Sequence, residues 1–204
     1  MTGTDRSTSL RADKIAARYL RDFGRLLERV DVDALARVAG FLRAARDDGG
    51  TIYIAGNGGS AATSSHWAND LGKATKDAGR GSIRVMCLSD NTPWLTALAN
   101  DEGYEHVFAG QLENFAGPGD VLVVLSASGN SPNLVRAVEL ANERGLVTIG
   151  LLGFDGGALK ELVGECLWLP TEEGAYGLVE SGHAVLCDIV TTCLVEDRLA
   201  GDEP

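Results

Sequence analysis

One uninterrupted apolar stretch, Asp120-Val-Leu-Val-Val-Leu125, limits the folds open to this chain. A strand with one face in water alternates polar and apolar residues, whereas a central strand of a parallel sheet is buried on both faces and is apolar throughout. Parallel neighbours must be joined by crossover connections, which are usually helices. The stretch therefore predicts an α/β protein whose sheet is covered by helices.

Helical patterns separate this stretch from four other strand-like segments. The predicted strands are Thr51–Ala55, Ser82–Leu88, Asp120–Leu125, Val147–Leu152 and Glu165–Leu169. A last helix is predicted over Leu178–Leu199. Strands that alternate with helices through short loops form a parallel sheet with right-handed connections. The predicted fold class is α/β, with a five-stranded parallel sheet and helices on both faces.

The loop after the first strand, Gly56-Asn-Gly-Gly-Ser60, is rich in glycine. Glycines let the backbone approach a ligand closely, and free N–H groups at a helix N-terminus attract anions without a cationic side chain. A dinucleotide fingerprint would need an acidic residue about 20 positions further on, after a second strand, and the nearest acid after the second strand here is Asp90, which is too far along the chain. Ala61 and Ala62 stand where a Walker A loop has Lys and Ser/Thr. We therefore expect a phosphate site and no nucleotide cofactor.

A second loop of this kind follows the apolar strand. Ser126-Ala-Ser-Gly-Asn-Ser131 carries hydroxyls and a glycine, and Ser131 followed by Pro132 is typical of a helix start. The carboxyl ends of parallel strands lie on one edge of the sheet, where ligands bind. One glycine-rich loop alone could be a turn that binds nothing. Two loops on one edge favour a phosphate-binding site.

Charge and hydropathy narrow the classes of partner. The first 50 residues hold ten basic and eight acidic residues, and the rest hold eight basic and 21 acidic, for a net charge of −11. This surplus of acidic residues disfavours a surface that binds nucleic acid. We see no signal peptide and no apolar run near the roughly 20 residues that span a bilayer. The expectation is a cytoplasmic protein that contacts neither nucleic acid nor membrane.

Two amphipathic helices precede the first strand. Apolar residues recur at helical spacing from Leu10 to Val30 and from Val32 to Leu42. Their apolar faces can pack on the chain's own sheet or on another subunit, and on this ground we predict an oligomer. The predicted organisation is a disordered segment 1–9, a helical hairpin 10–50 used for oligomerisation, and an α/β domain 51–200.

Three motifs together, the loop 56–60, the pair Asn100-Asp101 and the loop 126–131, resemble the sugar isomerase (SIS) domain family. The similarity covers nearly the whole chain and is closest to the phosphoheptose (sedoheptulose 7-phosphate) isomerases of that family. It implies a flavodoxin-like three-layer sandwich, a phosphosugar-binding SIS domain at 51–200, and a homotetramer with sites between subunits. The predicted substrate and phosphate contacts are Asn57, Gly58, Gly59, Ser60, Asn100, Asp101, Ser126, Ala127, Ser128 and Ser131. The family commonly has Thr where Ala127 stands.

The resemblance also implies a zinc site shared by the helix after the first loop and the last helix. The matching positions are His66, Asp70, Glu180 and Asp188. The family has Glu, Gln and His at the last three of these positions, so only His66 is unchanged. Zinc is accordingly an expectation carried by the resemblance alone.

The residues themselves leave the catalytic pair open. His66 and Asp70 are four apart, so they lie on one face of a helix that begins at the phosphate loop. On the last helix His183 and Asp188 diverge by about 140°, too far for both to serve one small site in a subunit. We favour Glu180 with His183, because Glu-x-x-His pairs a carboxylate with a group that titrates near neutrality.

These observations predict a phosphosugar aldose–ketose isomerase acting on sedoheptulose 7-phosphate or a related long-chain ketose phosphate. Glu180 or Asp70 would remove a proton next to the carbonyl to give an enediol. His66 or His183, with or without zinc, would steady the oxyanion and carry the proton between oxygens. The alternative is a non-catalytic SIS-type phosphosugar sensor or a protein adaptor of the replication-initiation type.

Overall fold

The computed structural model describes residues 5–76 and 82–200. The strands are β1 (Thr51–Gly56), β2 (Arg84–Cys87), β3 (Val121–Ser126), β4 (Val147–Leu152) and β5 (Glu165–Trp168). The helices are α1 (Asp5–Leu27), α2 (Val32–Asp47), α3 (Gly59–Ala74), α4 (Thr92–Asp101), α5 (Ala109–Phe115), α6 (Pro132–Glu143), α7 (Leu159–Leu162) and α8 (Tyr176–Ala200). A short 3₁₀ turn, Tyr104–His106, lies between α4 and α5.

The five strands form one parallel sheet in the order β2-β1-β3-β4-β5. All six residues of β3 are buried, as its apolar sequence predicts. From β1 the chain continues to β2 on one side, and from β3 it continues to β4 and β5 on the other side. The strand order therefore reverses between the neighbours β1 and β3. The loops after these two strands therefore lie side by side at the position where such sheets bind ligands. The predicted α/β fold with a five-stranded parallel sheet is confirmed.

Helices cover both faces of the sheet and enclose two hydrophobic clusters. One cluster joins α2, α3 and α8 to one face, with Trp67, Leu42 and Ile54 fully buried in it. The other joins α4, α5, α6 and α7 to the opposite face, around Phe108 and Leu134. These layers fix the helices that begin at the carboxyl edge of the sheet, and hence the groups presented there.

The two helices of the N-terminal hairpin pack differently. α2 buries Leu35, Val38 and Leu42 against the chain's own sheet. α1 leaves apolar side chains in solvent, with Ile15 exposed by 49% and Leu20 by 68%. The helix begins at Asp5, earlier than the predicted start at Leu10. Residues 1–4 lie outside the described part of the chain.

Most predicted element bounds differ from the structure by one or two residues. The segment Tyr104–Phe115 begins with a separate 3₁₀ turn before α5. The turn at its start closes through i→i+3 bonds, from the His106 N–H to the Gly103 carbonyl and from the Val107 N–H to the Tyr104 carbonyl. Gly103 adopts φ of 106°, which favours glycine. The tight turn carries Tyr104 towards the loop after β1.

One described helix segment, Tyr176–Glu196 in α8, is long and apolar enough to cross a membrane by length and composition. The expectation that no apolar run approaches this length is therefore wrong by that measure. The segment packs against α1, α2 and α3, and 44% of its most apolar window is buried in the fold. This packing is consistent with a core helix of a soluble protein.

Candidate active site

A cavity of about 180 Å³ opens where the loops after β1 and β3 meet the start of α8. Its lining consists of Asn57, Ser60, Leu125, Ser126, Ala127, Ser128, Ser131, Leu134, Tyr176 and Glu180. Seven of these residues belong to the predicted site, and they come from three separate parts of the sequence. The fold therefore brings the two predicted loops and one predicted carboxylate to a single concave site.

The first loop turns tightly into α3. Gly58 adopts φ of 55°, which only glycine takes without strain, and Gly59 opens the helix. No hydrogen bond joins the N–H groups of Gly58, Gly59 or Ser60 to another described residue. Free N–H groups at the start of a 16-residue helix carry the positive end of its dipole. This loop is therefore suited to negatively charged groups.

The second loop is organised by its own serines. The Ser126 hydroxyl accepts a hydrogen bond from the Gly129 N–H at 3.0 Å, and the Ser128 hydroxyl accepts one from the Asn130 N–H at 3.3 Å. Ser131 is the N-cap of α6, yet its hydroxyl makes no capping bond. The loop thus presents a free hydroxyl at a helix N-terminus, an arrangement that binds phosphate oxygens.

Glu180 lies directly against the first loop. A Cβ built at Gly59 would meet Glu180 Oε1 at 2.5 Å and Oε2 at 2.8 Å. A side chain at position 59 would force the Glu180 carboxylate to move from this position. The approach places a negative charge beside the N-terminus of α3, where the helix dipole stabilises it. The site therefore holds a carboxylate at one end and the hydroxyl-rich second loop at the other.

Tyr176 begins α8 one turn before Glu180 and forms another wall of the cavity. Its ring packs edge to face on Phe154, with 5.1 Å between the ring centroids. Phe154 follows β4 and adopts φ of 43°, a strained conformation for a residue other than glycine. The Trp168 indole N–H donates to the Phe154 carbonyl at 3.1 Å. The loop after β4 thus supports the α8 side of the site.

A chain of side-chain hydrogen bonds centres on Asn57. Its Nδ2 donates to Asn133 Oδ1 at 3.0 Å, and Asn133 Nδ2 donates back to Asn57 Oδ1 at 2.9 Å. The Tyr104 hydroxyl donates to the same Asn57 oxygen at 3.0 Å. Asn133 is the second residue of α6 and is 1% exposed. These bonds tie the loop after β1 to the helix after β3.

The predicted pair His66 and Asp70 lies outside the cavity lining. His66 Nε2 and Asp70 Oδ2 are 3.3 Å apart, and the imidazole side chain is 68% exposed. The two residues lie on α3, whose first turn borders the cavity. The structure confirms that they share a helix face and places them beyond the loop, where a ligand can reach the ring.

The described residues do not confirm the zinc site that the resemblance implies. Burial raises the pKa of the Cys187 thiol, and the carboxylates of Asp188 and Asp70 raise it further, so α8 and α3 present acids to the same region. Within 5–76 and 82–200, however, no three His, Cys, Asp or Glu side chains are grouped as metal ligands. His66 is instead paired with Asp70. We derive no step through a metal.

His183 does not occupy the place that we predicted for it beside Glu180. The ring is fully buried, and neither nitrogen has a hydrogen-bond partner in the described structure. Burial lowers the pKa of His183 to about 4, which the nearby Leu152 backbone offsets only in part. The helical phase explains the result, since His183 lies on the side of α8 that faces the core.

Asn100 and Asp101 are predicted contacts that lie at the end of α4. Both are exposed at the end of α4, and Asn100 Nδ2 donates to Asp101 Oδ1 at 2.7 Å. Neither lines the cavity. Gly58 and Gly59 are exposed on the first loop, and they contribute to the site by letting the backbone turn there.

Sequence reasoning missed Asn133, Tyr104 and Tyr176. A signal existed for two of them. Asn133 follows the predicted helix start Ser131-Pro132, and Tyr176 precedes Glu180 by four residues, which is the spacing of one helix face. Tyr104 carried no such signal, because its approach to Asn57 depends on how the turn after α4 folds.

A parallel sheet with two anion-binding loops and a carboxylate at its switch point defines a phosphate-binding α/β protein. The chain belongs to the SIS domain family, whose sequence pattern matches residues 18–153. It is 41% identical over 165 residues to a phosphoheptose isomerase of Rhodospirillum rubrum, covering 79% of this chain and 86% of that protein. It is 38% identical over 190 residues to one of Geobacter sulfurreducens, covering 92% and 98%. The solved phosphoheptose isomerase of Neisseria gonorrhoeae superposes with a TM-score of 0.81 at 30% identity, covering 92% and 99%.

Proposed function

We propose that this protein is an aldose–ketose isomerase for sedoheptulose 7-phosphate or a related long-chain ketose phosphate. One observation carries the proposal: the two anion-binding loops and the carboxylate of Glu180 line the same cavity. An isomerase needs both parts, since it must hold a phosphate and remove a proton from the carbon next to a carbonyl. The similarity to phosphoheptose isomerases over most of both chains supports the substrate class.

The two ends of the cavity suggest how the sugar lies in it. The Glu180 carboxylate already faces the first loop at Gly59, so a phosphate there would meet a like charge. We therefore assign the phosphate to the second loop, with Ser126, Ser128 and Ser131. The carbonyl end then lies towards Glu180. Binding at the phosphate end holds the reacting carbon in place.

Each catalytic step can be assigned to a side chain of this chain. Glu180 removes the proton from the carbon next to the carbonyl to give the enediol, and then returns this proton to the former carbonyl carbon as the enediol collapses. His66 carries a proton between the oxygens, with Asp70 at 3.3 Å holding its ring. We prefer His66 to His183 because its ring is accessible, whereas His183 is fully buried. Asn100 and Asp101 are assigned to a site completed by a neighbouring subunit.

The exposed apolar face of α1 supports association with further copies of this chain. That the assembly is a homotetramer in the cytoplasm is a proposal that rests on the family resemblance. Ile15 and Tyr19 line a groove of about 460 Å³ together with Tyr176, and Tyr176 also lines the cavity. A second copy of the chain seated in this groove would bury the apolar side chains that α1 exposes. It would also lie next to the proposed site, so that assembly and activity depend on each other.

Two substitutions test the function. Glu180→Gln keeps the shape of the side chain and removes the base, so we expect turnover of sedoheptulose 7-phosphate to fall at least about 100-fold with binding retained. Ser128→Ala removes a phosphate contact, so we expect affinity to fall about tenfold or more. Glu196→Gln, exposed near the end of α8, and Ser65→Ala, on α3, are the matched controls.

The same variants separate the enzyme from the alternative. A non-catalytic sensor binds the sugar phosphate with no turnover in the wild type, and Glu180→Gln leaves its function intact. If the wild type binds sedoheptulose 7-phosphate without converting it, the catalytic half of the proposal is wrong. If it binds no sugar phosphate, the site itself is wrong.

A further inference from the structure

The hydrogen-bonding capacity of Asn57 is almost fully used within the protein. The side-chain oxygen has two lone pairs, and they accept from Asn133 Nδ2 at 2.9 Å and from the Tyr104 hydroxyl at 3.0 Å. Of the two N–H groups on Nδ2, one donates to Asn133 Oδ1 at 3.0 Å. The other has no partner among the described residues. Asn57 lines the cavity, so this second N–H is what it offers to a ligand.

From this geometry we propose that Tyr104 and Asn133 are positioning residues that fix Asn57 as a hydrogen-bond donor to an acceptor oxygen of the bound sugar phosphate. A side-chain amide can rotate by half a turn and present either its oxygen or its nitrogen. Rotation of the Asn57 amide alone would set its nitrogen against Asn133 Nδ2 and its oxygen against Asn133 Oδ1. It would also remove the oxygen that accepts from the Tyr104 hydroxyl, so both neighbours favour the orientation seen. The proposal rests on the proposed function, because it names how the same site recognises its substrate.

The two positioning residues act from different elements. Asn133 is buried at the start of α6, so its paired amide hydrogen bonds with Asn57 hold the loop after β1 at a fixed distance from the loop after β3. Tyr104 is 54% exposed on the turn after α4, and among the described residues its side chain bonds to the site through Asn57 alone. Loss of the Tyr104 hydroxyl therefore frees one lone pair of Asn57 without opening the core.

A double-mutant cycle tests the proposal. The variants are Tyr104→Phe, Asn57→Ala and their combination, and the readout is the Kd of sedoheptulose 7-phosphate by calorimetry in the Glu180→Gln background, where turnover does not interfere. We expect Tyr104→Phe alone to weaken binding about fivefold, the usual effect of one lost hydrogen bond. In the Asn57→Ala background we expect no further loss, because Tyr104 acts only through Asn57.

Tyr53→Phe is the matched control. It removes a hydroxyl that donates to the Phe115 carbonyl at 3.1 Å, outside the cavity lining, and we expect its Kd to equal that of the parent. Equal losses from Tyr104→Phe in both backgrounds, or no loss in either, would overturn the inference while leaving the isomerase proposal intact. Binding without turnover in the otherwise unmodified chain would overturn the isomerase, and the cycle would still decide the role of Tyr104.

Discussion

The contact between Gly59 and Glu180 gives a direct test of how closely the site is built. In Gly59→Ala the new Cβ would lie 2.5 Å from Glu180 Oε1 and 2.7 Å from Cδ. The carboxylate must retreat by about 0.9 Å to reach the 3.4 Å of ordinary van der Waals contact. A misplacement of about 1 Å in a catalytic group costs about 100-fold in rate. We therefore expect kcat to fall by about that factor.

The fold should tolerate the same change. Gly59 is the first residue of α3 and has no positive φ, and alanine is the better helix former by up to about 1 kcal/mol. We expect Tm to be unchanged or higher while kcat falls, which separates a displaced carboxylate from an unfolded protein. The assay is turnover of sedoheptulose 7-phosphate beside a thermal melt.

Gly72→Ala on the same helix is the matched control. A Cβ there would meet only Val85 Cγ1 at 3.4 Å, so we expect full activity. Full activity in Gly59→Ala as well would refute the reasoning, because it would show that Glu180 does not work from the position seen against the first loop.

Two further predictions concern the core and the surface. The pKa of His183 is about 4 in the fold and near 6.5 in the unfolded chain, so between these values the unfolded chain binds more protons. The free energy of unfolding should therefore fall as pH drops through this window, by up to about 1.4 kcal/mol per pH unit. In thermal melts at pH 7 and pH 5, His183→Leu should reduce this loss of stability. An equal loss in the variant and the wild type would contradict the prediction. Ile15→Glu puts a charge on the exposed apolar face of α1, so we expect it to dissociate the oligomer. Ala17→Glu on the opposite face of the helix should leave the oligomer intact, and light scattering measures both. A wild-type protein that is monomeric at micromolar concentration would rule out the assembly.

The parts of this protein that follow from local sequence could be predicted. The apolar run of β3 indicates a strand buried on both faces, and the glycines and serines after β1 and β3 indicate turns that lead into helices. These predictions rest on short segments, so they do not depend on how distant elements pack. The switch point then follows from the order of strands and helices alone.

The groups that depend on packing could not be predicted in this way. His183 and Glu180 are three residues apart on α8, yet one lies in the core and the other beside Gly59. The sequence fixes their angular separation, but the rotation of α8 against the sheet depends on every side chain between the helix and β strands. Asn133 and Tyr104 likewise reach Asn57 only because α6 and the turn after α4 come together in the fold. A phosphate held by backbone N–H groups can therefore be inferred from a motif, whereas the identity of the base and the orientation of a side-chain amide require the assembled structure.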